Sequence, residues 1–372
     1  MRRVGFNLMF LVPGQTGGME IYASSLIPEL CAQRPDLEFV AFVSAEAADI
    51  DLGPVKVVDA GVSGSARVRR ILAEQRRLPR LVRRHGVDLL HSLGSSAPRH
   101  AGAVSVVTIH DVIYARFPEA HTLAMRMGQR IVIPSAARSA DRVITPSAAS
   151  AEEITELLGI PRERIDVIHE AGKPPGPATP EAKLRGELAL GDAPVVLSVS
   201  SRRPHKNVPR LMEAFARVGV DPPPMLALPG YETSFEDDVR RRATELGIAE
   251  RVRFLSWLRD DDLEGLYSLA ECFVFPSLAE GFGLPVLEAM QRGLPVACSF
   301  AGPLPEVGGD AVRYFDPLDP AAIASALTEL LSSREIRQEL AAAGRTRAKL
   351  FEWSKTARAT AESYERAFAE AT

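Results

Sequence analysis

Two glutamates separated by seven residues bracket a short glycine- and proline-containing segment in the last third of the chain. The segment Glu280–Glu288 reads EGFGLPVLE, and its proline stands where a helix would begin. The first amides of a helix attract anions, phosphate above all, and the two glycines let the backbone approach a ligand closely. Carboxylates repel phosphate, so we expect Glu280 and Glu288 to bind neutral hydroxyl groups. The pattern therefore predicts a nucleotide-sugar site.

The residues before this segment complete a recognisable string. Cys272–Phe275 is an apolar run that predicts a buried parallel strand feeding the loop. Strand, glycines, proline and the Glu-x7-Glu spacing together resemble the signature of retaining glycosyltransferases of family 4. The alternative, an ordinary strand, turn and helix with two solvated glutamates, is less favoured for the full string than for the spacing alone.

A lysine follows the first predicted strand of the second half, in the stretch Ser198–Val208. A cation there could neutralise a diphosphate whose charge grows as it leaves, which stabilises the transition state more than the ground state. The family resemblance implies this role for Lys206. The family usually has a glycine and often an arginine where this chain has Ser200 and Ser201. Arg202 or Arg203 could provide the assisting charge, or the two serines could form hydrogen bonds with the phosphate.

Two features of the first half could also contact a ligand. Gly17 and Gly18 follow the first predicted strand, where glycines permit close approach of an anionic or bulky ligand; a tight turn alone is the alternative. His110 ends another strand, and the resemblance implies that it contacts the transferred sugar, whereas a lone histidine can also be structural. The resemblance likewise implies that Ser256 lies in the segment that meets the nucleotide base.

These considerations give one set of predicted site residues. Catalysis is assigned to Glu280, Lys206 and His110, with Glu280 and His110 orienting the sugar. Donor binding is assigned to Gly17, Gly18, Arg202, Lys206, Ser256, Phe282, Gly283, Leu284 and Glu288. No metal ligand and no cofactor are predicted, because the chain has no Cys/His cluster with metal-ligand spacing and no acidic Asp-x-Asp motif.

Short apolar strands alternate with helical patterns along the whole chain, which predicts the α/β class with parallel sheets. The resemblance implies the GT-B fold, two Rossmann-like domains that face each other across a cleft. We expect an acceptor-binding domain over residues 1–172, a proline-rich linker over 173–192 and a nucleotide-sugar domain over 193–351. A helix over 352–372 is expected to pack back on the first domain.

The size and composition of the chain limit the classes of protein to which it can belong. The 372 residues suggest two domains, and the net charge of -4 argues against nucleic acid as the main partner. The apolar run after Met1 lacks a small-residue cleavage site, so we expect a buried strand rather than a signal peptide. Three widely spaced cysteines in apolar surroundings predict free buried thiols and a cytoplasmic protein.

An arginine-rich amphipathic stretch covers residues 67–84, with Glu74 as its only acid. One interpretation is docking to an anionic membrane, at the inner face, that carries a lipid-linked acceptor. The other, which we favour from the sequence, is a surface helix whose apolar residues pack on the sheet.

The sequence thus predicts a retaining, metal-independent glycosyltransferase. It would move a hexose of the mannose, glucose or N-acetylglucosamine type from a GDP- or UDP-sugar to a hydroxyl of a glycan, a lipid-linked acceptor or a small molecule. Two alternatives stay open at this point: a nucleotide-sugar epimerase or phosphorylase of the same fold, and an inactive donor-binding partner subunit. Nucleic acid is not an expected partner.

Overall fold

The computed structural model describes residues 1–118 and 123–371, without the side chains of residues 123 and 124. These residues form two compact units, one made of Met1–Ala171 with Phe351–Thr372 and the other of Gly172–Leu350. Each unit is built on a single parallel sheet with helices between its strands. The predicted α/β class with two Rossmann-like parallel-sheet domains is therefore confirmed.

The first unit contains a seven-stranded parallel sheet in the order β3-β2-β1-β4-β5-β6-β7. Its strands are β1 (Arg3–Leu8), β2 (Glu38–Val43), β3 (Lys56–Asp59), β4 (Leu89–Ser92), β5 (Val104–Thr108), β6 (Arg142–Thr145) and β7 (Ile165–Val167). Its helices are α1 (Gly18–Gln33), α2 (Arg67–Arg76), α3 (Leu78–Arg84), α4 (Ile113–Arg116), α5 (Leu123–Ser139), α6 (Ala148–Leu158) and, from the end of the chain, Trp353–Glu370.

Alternate strand residues of this sheet enter two different apolar cores. Phe6 and Leu8 pack in one core with residues of α1 and with Tyr364 of the last helix. Phe42 packs in another core with Val82 of α3. Both faces of the sheet are thereby covered, which is why its strands read as nearly continuous apolar runs.

Polar contacts join the helix Trp353–Glu370 to the same sheet. The hydroxyl of Tyr364 lies 2.7 Å from Nδ1 of His91, whose Nε2 lies 2.7 Å from the hydroxyl of Thr108. His91 is fully buried on β4, so these two hydroxyl groups satisfy both of its ring nitrogens. The last helix is thus an integral part of the first unit.

The second unit contains a six-stranded parallel sheet in the order β10-β9-β8-β11-β12-β13. Its strands are β8 (Val195–Leu197), β9 (Met225–Pro229), β10 (Val252–Leu255), β11 (Cys272–Phe275), β12 (Val296–Ser299) and β13 (Arg313–Phe315). Its helices are α7 (Glu181–Glu187), α8 (Val208–Phe215), α9 (Glu236–Glu245), α10 (Asp260–Leu269), α11 (Leu284–Gln291), α12 (Leu304–Gly308), α13 (Pro320–Ser332) and α14 (Arg334–Ala348). The helix Trp353–Glu370 of the first unit is α15.

The stretch 173–192, predicted as a linker, is not wholly irregular. It contains the helix α7, whose Leu184 is only 1% exposed and lies against Gly265 of α10. Pro180 is the N-cap of this helix, where its missing N–H removes no hydrogen bond within the helix. The linker prediction was therefore wrong for residues 181–187.

Across the two described stretches of the chain, no helix is long and apolar enough to cross a bilayer.

Candidate functional site

The predicted phosphate loop of the second unit joins strand β11 to helix α11. Gly283 precedes the helix with a φ of 110°, in the region that favours glycine, and a Cβ there would lie 2.7 Å from a methyl carbon of Leu304. The amides of Val286 and Leu287 donate to the Gly283 carbonyl and begin the helical hydrogen bonds. Leu284 is the first helical residue, so its amide lies at the positive end of the helix dipole.

Two of the predicted catalytic residues meet beside this loop. The ammonium nitrogen of Lys206 lies 2.6 Å from Oε1 of Glu280, and the side chains are only 16% and 9% exposed. The same nitrogen lies 5.4 Å from the centroid of the Phe275 ring, at the end of β11. The chain places the pair 74 residues apart, and the fold brings them into direct contact.

A short 3₁₀ turn, Pro204–Lys206, holds the lysine in this position. Asn207 follows the turn with a φ of 59°, and its side-chain amide donates to the carbonyls of Pro276 and Pro317 at 3.1 and 2.8 Å. The amide of Leu278 donates to the His205 carbonyl at 2.7 Å. The turn that carries Lys206 is therefore fastened to the loop that carries Glu280.

Glu288, one turn into α11, has weak partners of its own. Its Oε1 accepts a hydrogen bond from the Lys173 amide and its Oε2 accepts one from the Tyr267 hydroxyl, both at 3.4 Å. Burial raises the pKa of this carboxyl, although the nearby positive charge of Arg292 acts in the opposite direction. A carboxylate can accept about four hydrogen bonds, so Glu288 keeps capacity for ligand hydroxyl groups.

Sequence reasoning missed the groups that surround Glu288. Arg292 donates to both carboxylate oxygens of Glu264, and its guanidinium carbon lies 4.8 Å from the centroid of the Tyr267 ring. The side chains of Arg292 and Glu264 are 7% and 10% exposed, so this is a largely buried ion pair. The available signal was the spacing of four residues between Glu288 in α11 and Arg292, the C-cap of that helix.

The structure contradicts the predicted role of Arg202. Its side chain is buried, and one terminal nitrogen donates to the carbonyls of Gly230 and Tyr231 at 2.7 and 3.2 Å. The other terminal nitrogen donates to the carbonyls of Leu228 and Leu255 at 2.8 and 2.7 Å. The guanidinium thus ties together the ends of β9 and β10 and is not directed at a ligand. The assignment of Arg202 to diphosphate binding was wrong.

The ends of these two strands carry an exposed aromatic pair. Trp257 is 56% exposed, and its ring stacks on that of Tyr231 with 4.4 Å between centroids and 20° between planes. Ser256, predicted to lie near the base, is the exposed neighbour of Trp257. Strands β9 and β10 are adjacent in the sheet, so their carboxyl ends present these side chains together.

In the first unit, His110 follows β5 and pairs with a carboxylate. Its Nδ1 lies 2.8 Å from Oε1 of Glu170 and its Nε2 lies 3.1 Å from the Leu93 carbonyl oxygen. Both partners are acceptors, which favours the imidazolium form, in which both ring nitrogens donate. Burial lowers the pKa of His110, but the hydrogen bond and negative charge of Glu170 outweigh burial and raise the pKa overall.

The glycine loop of the first unit is closed by a side chain of the following helix. Gly17 precedes α1 with a φ of 64°, and no atom lies within 4 Å of a Cβ built on it. The Glu20 carboxylate accepts the amide hydrogen of Gly14, with Oε2 at 2.9 Å. Gly17 therefore borders open space. Within residues 1–118 and 123–371, no group of three or more His, Cys, Asp or Glu side chains could hold a metal ion.

Comparisons with known proteins agree with this architecture. Residues 16–171 match the family described as Glycosyltransferase Family 4, and residues 181–347 match Glycosyl transferases group 1. The O-antigen chain mannosyltransferase B of Escherichia coli is 33% identical over 267 residues, which is 70% of this chain and 70% of that protein. The MMP alpha-(1->4)-mannosyltransferase of Mycolicibacterium hassiacum is 32% identical over 333 residues, or 82% of this chain and 75% of that protein.

Among solved structures, a sucrose-phosphate synthase from Thermosynechococcus elongatus shares the fold. It aligns with a TM-score of 0.79 and 22% identity, over 99% of this chain and 100% of that one. The signature around Glu280 and Glu288, the two parallel-sheet units and these matches lead to one assignment. The chain belongs to glycosyltransferase family 4 and is a glycosyltransferase with the GT-B fold.

Proposed function

We propose that this protein is a retaining, metal-independent mannosyltransferase that uses a nucleoside-diphosphate mannose. The observation that carries the proposal is the Lys206–Glu280 pair beside the amino end of α11. A cation, a carboxylate and helix amides are the groups that a sugar diphosphate requires. The second unit binds the donor, and the first unit binds the acceptor.

Lys206 changes partner when the donor binds. Its ammonium group donates to Glu280, which keeps the lysine side chain oriented. A diphosphate carries more negative charge than one carboxylate and competes for the ammonium group. Glu280 is then left to accept hydrogen bonds from hydroxyl groups of the sugar. Donor binding thus converts a resting ion pair into two ligand contacts.

Other groups of the second unit bind the remaining parts of the donor. The amino end of α11, from Phe282 to Leu284, faces the phosphates, and Glu288 accepts hydrogen bonds from the ribose hydroxyl groups. Glu288 lies about one turn along the helix from that end, so phosphates and ribose would bind side by side. Ser256 lies beside the exposed Trp257 and meets the base.

Retention follows from attack on the face that the phosphate leaves. The bond between the anomeric carbon and the phosphate oxygen breaks, and the acceptor hydroxyl forms its new bond on the same face. The departing phosphate oxygen takes the acceptor proton, so no covalent protein nucleophile is required. Lys206 stabilises the charge that builds on the diphosphate, a role that a metal ion performs in other enzymes. His110, as a cation, and the loop at Gly17 and Gly18 complete the predicted set.

The sugar and the acceptor are proposed from the relatives. Both reported relatives are mannosyltransferases, and one is named for an O-antigen chain. A guanosine donor is the common pairing with mannose in the family, so GDP-mannose is the first donor to test. We propose a cytoplasmic protein that adds mannose to a growing glycan or a lipid-linked acceptor and contacts the inner membrane face peripherally.

A donor panel tests the proposal directly. Thermal unfolding is measured with GDP, UDP, ADP, GDP-mannose and UDP-glucose, for the natural protein, Lys206→Ala and Glu288→Ala. A ligand at ten to a hundred times its dissociation constant should stabilise the protein by about 1.4–2.7 kcal/mol. We expect stabilisation by the guanosine ligands that is reduced in both variants and unaffected by a chelator. The anomeric configuration of the transferred sugar is then read by NMR.

Three results would contradict separate parts of the proposal. A product with inverted configuration would exclude the retaining mechanism. Stabilisation by uridine ligands alone would replace GDP-mannose with a UDP-sugar donor. If neither variant weakens nucleotide binding, the donor does not bind at Lys206 and Glu288.

A further inference from the structure

Helix α2 turns apolar side chains towards solvent. Val68 is 74% exposed and Leu72 is 50% exposed, and their spacing of four residues places them on one side of the helix. The one fully buried side chain of α2 is that of Glu74. The expectation from the sequence, that the apolar residues of this stretch pack on the sheet, is therefore wrong for Val68 and Leu72. It is correct for Leu78 of α3, which is buried.

Helix α5 repeats the arrangement, and no sequence pattern drew attention to it. Met127 is 59% exposed and Ile131 is 70% exposed, again four residues apart. Arg130 is exposed beside them, and the segment Leu123–Ser139 contains no acidic residue. Two helices thus each present a pair of large aliphatic side chains flanked by arginine.

The sheet topology places both helices on one face of the first unit. The connection from β3 to β4 carries α2, and the connection from β5 to β6 carries α5. Both connections lead towards the β7 edge of the sheet. Because such crossovers are right-handed, both helices lie on the same face of the sheet. The side chain of Gln75 also contacts the backbone of Ala97 and Arg99, and Ala97 shares an apolar core with Ile133 of α5.

Positive charge dominates helices α2 and α3 on this face. Arginines 67, 69, 76, 77, 80, 83 and 84 are all exposed. Glu74, the one acid in α2, α3 and α5, is fully buried and pairs with Arg70 at 3.8 Å. The chain as a whole carries a net charge of -4, so the cations of this face are a local concentration and do not reflect the overall composition.

We propose that α2, α3 and α5 form a surface that docks on an anionic lipid bilayer. Val68, Leu72, Met127 and Ile131 enter the boundary between headgroups and acyl chains, and the arginines bind lipid phosphates. Aliphatic side chains suit acyl chains, whereas a surface for single-stranded nucleic acid uses aromatic rings that stack on bases. The inference rests on the proposed peripheral membrane contact and is independent of the sugar-transfer chemistry.

Vesicle sedimentation of the full chain, without any sugar nucleotide, tests this surface. We expect binding to vesicles that contain phosphatidylglycerol, no binding to phosphatidylcholine alone, and weaker binding as salt rises. Val68→Ser with Leu72→Ser, and Met127→Ser with Ile131→Ser, should each lower the partition constant by about tenfold. The matched control is Leu318→Ser, which changes a side chain that is 60% exposed in the second unit.

The controls make each outcome decisive. All four substituted side chains are exposed, so the variants should keep the unfolding temperature of the natural protein, and unchanged circular dichroism verifies their folding. Retention of vesicle binding by both double variants, or equal binding to neutral vesicles, overturns the proposal. So does binding to a soluble acidic polysaccharide in place of vesicles. Donor binding is measured separately by thermal unfolding, so a failure of the mannosyltransferase assignment would leave the vesicle result unaffected.

Discussion

Nζ of Lys206 lies 2.6 Å from Oε1 of Glu280, in a largely buried ion pair. Removal of the cation should damage the chemical step more than substrate binding, because charge on the diphosphate is largest in the transition state. We expect Lys206→Met to lower kcat by about 10²–10³-fold. Steady-state kinetics with the donor identified by the binding panel provide the measurement.

The surface pair Lys183–Glu187 supplies the control for this prediction. It is also a lysine–glutamate pair of the second unit, at 3.8 Å, but both side chains are more than half exposed. Lys183→Met should leave kcat unchanged. An equal loss of kcat in the two lysine variants would mean that the overall charge of the protein, and not the position of Lys206, is responsible.

Glu288 should act mainly on donor affinity. If it accepts ribose hydroxyl groups equally in the ground state and the transition state, its loss raises KM and leaves kcat nearly unchanged. Glu288→Gln should raise the donor KM by about tenfold to a hundredfold, as for a lost hydrogen bond to a charged group. Glu339→Gln, at an exposed position on α14, is the control. A pure kcat effect would instead place Glu288 at the reacting centre.

Arg202 should behave as a structural residue. Its terminal nitrogens donate to four backbone carbonyls, which lysine cannot reach together because it lacks the planar fork. We expect Arg202→Lys to lower the free energy of unfolding by about 3 kcal/mol, whereas Arg203→Lys changes it little. Urea unfolding of both variants decides the matter. Unchanged stability with lost donor binding would restore the diphosphate role of Arg202.

His91 should make the protein sensitive to acid. Burial lowers its pKa from 6.5 to about 3, so between these values the unfolded chain binds a proton that the folded protein does not. The free energy of unfolding therefore falls as the pH falls, by up to about 1.4 kcal/mol per pH unit from this group. His91→Gln should flatten the pH dependence of the unfolding temperature, and the exposed His100→Gln should not. Parallel slopes in both variants would contradict this origin.

Features that depend on local pattern could be predicted from the sequence. The alternation of apolar runs with helical periods indicated the two parallel-sheet units, and the string around Glu280 and Glu288 indicated the strand, loop and helix of the donor site. Each of these depends on residues that are close together in the chain. The periodicity of the apolar residues and the positions of the turn-forming residues can be read directly from the sequence. The helix start differed by only one residue, at Leu284 instead of Pro285.

Features that depend on distant partners could not be predicted. Arg202 and Arg203 are neighbours of the same type, and only the fold shows that four carbonyls surround the first. Glu170, which raises the pKa of His110, lies 60 residues away from it in the chain. The outward orientation of Val68 and Leu72 could not be predicted either. An amphipathic pattern does not distinguish an apolar side that packs on a sheet from one that contacts a lipid surface.

The position of α15 has a consequence for synthesis on the ribosome. Residues 172–350 form one continuous unit, whereas the core of the first unit lacks Tyr364 until the last helix has emerged. The hydrogen bond from Tyr364 to His91 closes a separation of 273 residues, which is slow to search and costly in chain entropy. One core of the first unit is therefore completed only after residues 172–350 have been synthesised, although the amino-terminal domain usually folds first. The growing first unit exposes apolar surface while the second is completed, and it is the part of the nascent protein that chaperones would need to protect.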